Sequence, residues 1–81
     1  MAKYNVNEVS QYLHEVVKSD MHEDEKFHIL ASNGVSVDRD VPPMFYVHGA
    51  EATCFFMEND ELQSETIPLS EVDENLIIGR F

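Results

Sequence analysis

Residues 54–65, Cys54-Phe55-Phe56-Met57-Glu58-Asn59-Asp60-Glu61-Leu62-Gln63-Ser64-Glu65, set four apolar side chains directly against an acidic cluster. An apolar, β-prone run, a polar pair and a second run with alternating character read as two strands joined by a turn. Neighbouring side chains of a strand point to opposite faces of the sheet, so Phe55 and Phe56 place an aromatic on each face. With the turn centred on Asn59-Asp60, Glu58 lies opposite Glu61 and Cys54 opposite Glu65. Like charges directly opposed across strands are destabilising. Selection for stability alone would be expected to put a Lys or Thr at one of these sites.

Working outward, Met44 to His48 and Ala52 to Glu58 are short, aromatic and β-prone, separated by Gly49-Ala50-Glu51, and a third strand runs from about Leu62 to Ile67. Together they read as an antiparallel meander. Ser70-Glu71-Val72-Asp73 can begin a single helical turn, and Leu76, Ile77 and Ile78 make a last strand that Gly79 closes. Upstream, Asp38-Arg39-Asp40-Val41-Pro42-Pro43 is a polar connection in which the prolines bar both a helix and a central strand.

The N-terminal part is helical in pattern. Asn5 and Glu8 have capping-box spacing, Tyr4 and Val9 occupy the positions of a hydrophobic staple, and Val6, Val9, Leu13, Val16 and Val17 recur at helical spacing. Asp20 and Glu23 repeat the capping spacing, and Gly34 with Val35 fits a left-handed helix end, which favours a second helix over about 21–32. Phe27, Ile29 and Ala31 also alternate, and Asn33-Gly34 is a strong hairpin signal, so half of a β-hairpin is the competing reading.

The expectation is an α+β fold of one domain over 1–81, with one or two N-terminal helices packed on a small antiparallel sheet of three to four strands. Phe45 beside Tyr46 and Ile77 beside Ile78 repeat the two-faced pattern of Phe55 and Phe56. One sheet face can pack on the Val9, Leu13, Val16 helix. The other needs the second helix, a symmetric copy or another protein as cover. Phe45, Tyr46, Phe55 and Phe56 are therefore candidate apolar interface residues.

Sixteen acidic residues against five basic give a net charge of −11. After Val41 the only basic residue is Arg80, against eight carboxylates. Such a charge maintains solubility at the expense of self-repulsion, and it excludes nucleic acid and acidic membrane surfaces as direct partners. A charged partner should be basic. Cys54 is the only cysteine, so no disulfide can form within the chain. The start, MAKYNVNEV, lacks the basic and apolar regions of a signal peptide, and no apolar run approaches the roughly 20 residues that span a bilayer. A cytoplasmic location is expected, in the host if the chain is phage-encoded.

Candidate chemistry is sparse. The Glu58-Asn59-Asp60-Glu61 loop lacks the glycine and ligand frame of a calcium-binding EF-hand loop. His22 and His28 are separated by about 600° on a helix, so no local metal shell forms. Cys54 sits among Ala52, Phe55 and Phe56, which points to a buried thiol of raised pKa and low reactivity. No catalytic residue, metal or cofactor is expected.

Carboxylates two apart on a strand stand about 6.6 to 6.8 Å apart, the order of the spacing between neighbouring phosphates along a nucleic-acid strand. Glu58, Asp60, Glu61 and Glu65 form one candidate patch; Glu23, Asp24 and Glu25, or Glu71, Asp73 and Glu74, form a second. In size and composition the chain resembles the small acidic inhibitors that phages direct against restriction and CRISPR enzymes. That resemblance implies a non-enzymatic nucleic-acid mimic that occupies the basic, nucleic-acid-binding surface of a larger protein. The alternative is a structural or adaptor module that works through its apolar sheet surface, as a homodimer or an assembly subunit.

Overall fold

The computed structural model describes residues 5–80. Helix α1, Val6–Lys18, starts where Asn5 Oδ1 accepts the Glu8 N–H at 2.8 Å, as the capping spacing predicts. Tyr4, the other half of the expected staple, lies outside the described residues. The buried stripe is Val9, Leu13 and Val16. Ser19 ends the helix by donating both its N–H and its hydroxyl to the Val16 carbonyl.

Residues 23–32 are helical, which decides between the two readings of that segment in favour of helix α2, Glu23–Ser32. Its cap differs from the expected one. Asp20 precedes the helix, and His22 Nδ1 accepts the Asp24 N–H at 3.1 Å instead. Glu23, Asp24 and Glu25 then fill the first turn, where negative charge suits the positive end of the helix dipole. At the other end Gly34 N–H donates to Ala31 O and Val35 N–H to Leu30 O, the paired bonds of a Schellman motif. Gly34 supplies the required positive φ of 77°, and Val35 and Leu30 meet in the core.

The sheet has the order β3-β2-β1-β4, from β1, Phe45–His48, β2, Glu51–Glu58, β3, Glu61–Pro68, and β4, Ile77–Arg80. The first turn is Gly49-Ala50, with positive φ at Gly49 alone, the pattern of a type II′ turn. The second is Asn59-Asp60, with φ of 52° and 63°, the pattern of type I′. The β2–β3 register is the one the turn dictates, Glu58 opposite Glu61 and Cys54 opposite Glu65. β1, β2 and β3 form the expected antiparallel meander, and β4 alone departs from the expected antiparallel sheet. It pairs with β1 in parallel, because the chain leaves β3 at one edge and crosses the sheet before entering the other edge.

That crossover, with 3-10 turns at Leu69–Glu71 and Glu74–Leu76, solves the two-faced problem within the chain itself. On one face Tyr46, Phe55 and Leu62 pack with Val9, Leu13, Leu30 and Val35 of the helical layer. On the other, Phe45, Val47, Ala52 and Cys54 lie with Leu69, Val72 and Leu76 of the crossover against them. Leu13 is 0% and Phe55 1% exposed, and burial of such side chains contributes about 1.5 to 3 kcal/mol each. The Tyr46 and Phe55 rings meet edge-on at 6.0 Å, and the Tyr46 hydroxyl donates to Asn33 O at 2.9 Å, tying β1 to the end of α2. Thr53, buried on the same face, is satisfied by Thr66 Oγ1 and His48 Nε2, each at 2.8 Å.

β2 extends past the end of β1, and the exposed half of its edge is taken by Ser36. The Ser36 N–H donates to Phe55 O and the Met57 N–H to Ser36 O. Gly34 O accepts the Met44 N–H at 3.0 Å, so the chain that leaves the sheet at Ser36 returns at Met44. The loop between them stands beside the tip of the β2–β3 hairpin.

Candidate functional site

Glu58, Asp60 and Glu61 are exposed at the hairpin tip and Glu65 is exposed farther along β3. Strand alternation decides which way they face. Glu58 is two residues from Phe56 and four from Cys54, and Glu61 and Glu65 are in step with Ile67. Glu58, Glu61 and Glu65 therefore share the crossover face of the sheet. Glu71, Asp73 and Glu74 are exposed on the crossover itself. Its apolar residues point down to the sheet, so the carboxylates lie on the outer side of that layer. Asp73 has a local task as well, since its Oδ1 accepts the Asn75 N–H at 3.0 Å and caps the second 3-10 turn.

Two of the expected acidic groups thus lie on one side of the molecule. Glu23, Asp24 and Glu25 belong to α2 on the opposite, helical side and are not brought together with them. Among the described residues the only ion-pair contact is His22 Nδ1 to Asp24 Oδ2, at 3.7 Å. No carboxylate of the hairpin or crossover is held by a lysine or arginine of the described chain.

The four apolar candidates are placed differently from the expectation. Phe45, Tyr46 and Phe55 are buried and Phe56 is half-buried, all within the two cores. They hold the sheet to its two covering layers instead of forming an open face. The large apolar side chains left in solvent are elsewhere, with Phe27 56%, Val41 55% and Tyr12 48% exposed.

A groove of about 530 Å³ lies between the 36–43 loop and the hairpin tip. Its apolar lining includes Val41, Pro42, Pro43, Phe56 and Met57, and Asp38, Glu58 and Asp60 supply carboxylates beside the single Arg39. The loop is tightly organised. Ser36 Oγ donates to the carbonyls of Asp38 and Val41, Asp38 Oδ1 accepts the Asp40 N–H at 3.0 Å, and Asp38 O accepts the Val41 N–H at 3.1 Å. The sequence pattern marks this stretch as a polar connection and nothing more. The signal it carried was Val41 next to two prolines, an apolar segment inside an otherwise polar loop.

Cys54 is buried on the crossover face. Burial pushes its thiol up, and the Glu65 carboxylate opposite adds to the shift, while the backbone N–H groups of Glu65 and Cys54 offset part of it. Such a thiol is a poor nucleophile. Among the described residues no group of three or more His, Cys, Asp or Glu side chains gathers as a metal site. No helix of the described residues is long and apolar enough to cross a membrane. Comparison with protein families, with characterised proteins and with solved structures finds no match to this chain.

Proposed function

We propose that this is a small, non-enzymatic binding protein that occupies a basic, nucleic-acid-binding surface of a larger protein and so inhibits it. The observation that supports this reading is the gathering of Glu58, Glu61, Glu65, Glu71, Asp73 and Glu74 on the crossover side, exposed and unpaired by any cation of the described chain. An acidic surface without internal counter-charge raises the local potential and steers a cationic partner toward it. Two local choices at the tip run against stability. Glu58 faces Glu61, and Asp60 holds a positive φ that glycine would adopt at lower cost.

The test is competition. The protein should displace an oligonucleotide from a basic nucleic-acid-binding partner, read by fluorescence anisotropy, with an affinity that falls steeply as salt rises. Reversing Glu58, Asp60 and Glu61 to lysine should weaken that binding by at least about tenfold and flatten its salt dependence. Binding that survives the reversal unchanged overturns the mimicry.

The adaptor or homodimer reading, expected to work through Phe45, Tyr46, Phe55 and Phe56, loses that sheet surface to the two cores, and the exposed apolar residues left to it are Phe27 and Tyr12 of the helical layer. Association by that route would persist at high salt, where charge-driven association is lost. Light scattering at low and high salt separates the two.

A further inference from the structure

We infer that the groove between the 36–43 loop and the β2–β3 hairpin seats an extended, arginine-bearing segment of the partner. The inference rests on the reading of the acidic side given above and names where on that side a cation is gripped.

The groove offers two kinds of lining in one place. Val41, Pro43, Phe56 and Met57 give an apolar surface, and Asp38, Glu58 and Asp60 give negative charge at its polar part. Val41 is left 55% exposed there, an apolar side chain with nothing of its own chain over it. An occupant must satisfy both halves, so neither a purely aliphatic segment nor a bare cation fits. An arginine has a three-methylene stem that lies on apolar surface and a weakly hydrated planar head that pairs with carboxylates and stacks on aromatic rings such as Phe56. Lysine matches the charge but carries a more strongly hydrated point charge and cannot stack in that way.

The volume, about 530 Å³, falls in the range of ligand-binding clefts, roughly 300 to 1,000 Å³, and accommodates more than one side chain, hence a segment. Its loop side is preformed, because Ser36 and Asp38 hold the loop by hydrogen bonds to its own backbone. Little ordering is then left to be done on binding. Arg39 is the one opposing group. It is exposed and makes no ion pair among the described residues, so it repels a cation at the groove without holding the fold.

The experiment is an amide chemical-shift titration of the full chain at low salt with an oligo-arginine peptide, and in parallel with an oligo-lysine peptide of equal length. The largest shifts should fall on residues 36–41 and 56–60. Arg39→Ala should tighten oligo-arginine binding about threefold, the sign expected for removal of a like charge. Asp38→Asn with Glu58→Gln keeps side-chain acceptors at both sites and should weaken it by about tenfold or more. Oligo-lysine should bind several-fold more weakly. Shifts confined to the amides of Glu61, Glu65 and 71–74, with no response to the Asp38 and Glu58 changes, would overturn the groove while leaving the acidic-surface reading standing. Equal binding of both peptides would overturn the arginine preference. Absence of binding by either peptide would overturn the groove and the acidic-surface reading together.

Discussion

The two faces of the sheet are covered by layers of different depth, and the residues beneath each match its cover. The helical face buries Phe55, Tyr46 and Leu62 under α1 and α2, where an amphipathic helix can enclose large side chains from several directions. The crossover face has only two 3-10 turns and the links between them as cover. Its most deeply buried members are the small Ala52 and Cys54, with Val47 and Phe45 buried beside them, while Phe56 and Ile67 stay half-buried. The thin layer encloses one aromatic, Phe45, and leaves the other, Phe56, half in solvent. The thin side is also the acidic side, so the surface proposed to meet a partner is the one covered by irregular chain and not by helices.

The largest expected effect tests that difference in depth. Phe55→Ala should destabilise the fold by about 3 to 5 kcal/mol in denaturant unfolding. Val72→Ala in the crossover should cost only about 1 kcal/mol. Equal losses would mean that the two layers contribute alike. Next is Gly34→Ala. An added Cβ would stand 2.7 Å from the Met44 Cβ in a backbone of φ 77°, and a loss of about 2 kcal/mol is expected. That change strikes the helical side, where Gly34 ends α2 and bonds to Met44, so it should leave the hairpin amides unshifted.

The faces should also part at high pH. Burial raises the Cys54 thiol on the crossover face above its ordinary value of 9.0 and the Tyr46 hydroxyl on the helical face above 10.0. In both cases the folded state holds the proton more tightly than the unfolded chain. Each contribution is complete below the ordinary value and is lost as pH rises through the folded one. Melting temperature should therefore decline from about pH 9 upward, and Cys54→Ala should remove the earlier part of that decline while Tyr46→Phe removes the later part. The smallest effect is a gain. Glu61→Thr, which removes the like charge opposite Glu58, should stabilise by about 0.2 to 1 kcal/mol while weakening binding to a basic partner. A loss of stability would show that the Glu58 and Glu61 pair is not a cost to the fold.

The hairpin was legible because turn chemistry and alternation act over a few residues. Asn59-Asp60 sets the register, and the register sets which face each glutamate takes. The Schellman end at Gly34 was legible for the same reason. The orientation of β4 was not, since Ile77-Ile78 specifies two apolar faces and carries no direction; the crossover decides it. Nor was the lid formed by Leu69, Val72 and Leu76, whose irregular spacing matches neither a helix nor a strand. His22 as a cap was hidden because its ring nitrogen substitutes for the more usual oxygen of Asp20. The groove joins Asp38 to Glu58 and Asp60 across the sheet's far end, a meeting that only the Ser36 bridge creates.

The parallel pairing of β4 with β1 has a consequence for the order of assembly. Both tight turns and the end of α2 close over a few residues, whereas β4 reaches β1 only after the chain has passed through β2, β3 and the crossover. Long closures form late, since their entropy must be met before contacts repay it. The three-stranded meander, built on two tight turns, therefore forms first, and both the packing of α1 on Phe55 and Leu62 and the pairing of β4 with β1 follow it. Glu58, Glu61 and Glu65 belong to the locally closed meander and Glu71, Asp73 and Glu74 to the long connection that follows it, so the acidic side is put together in two steps, its hairpin half before its crossover half.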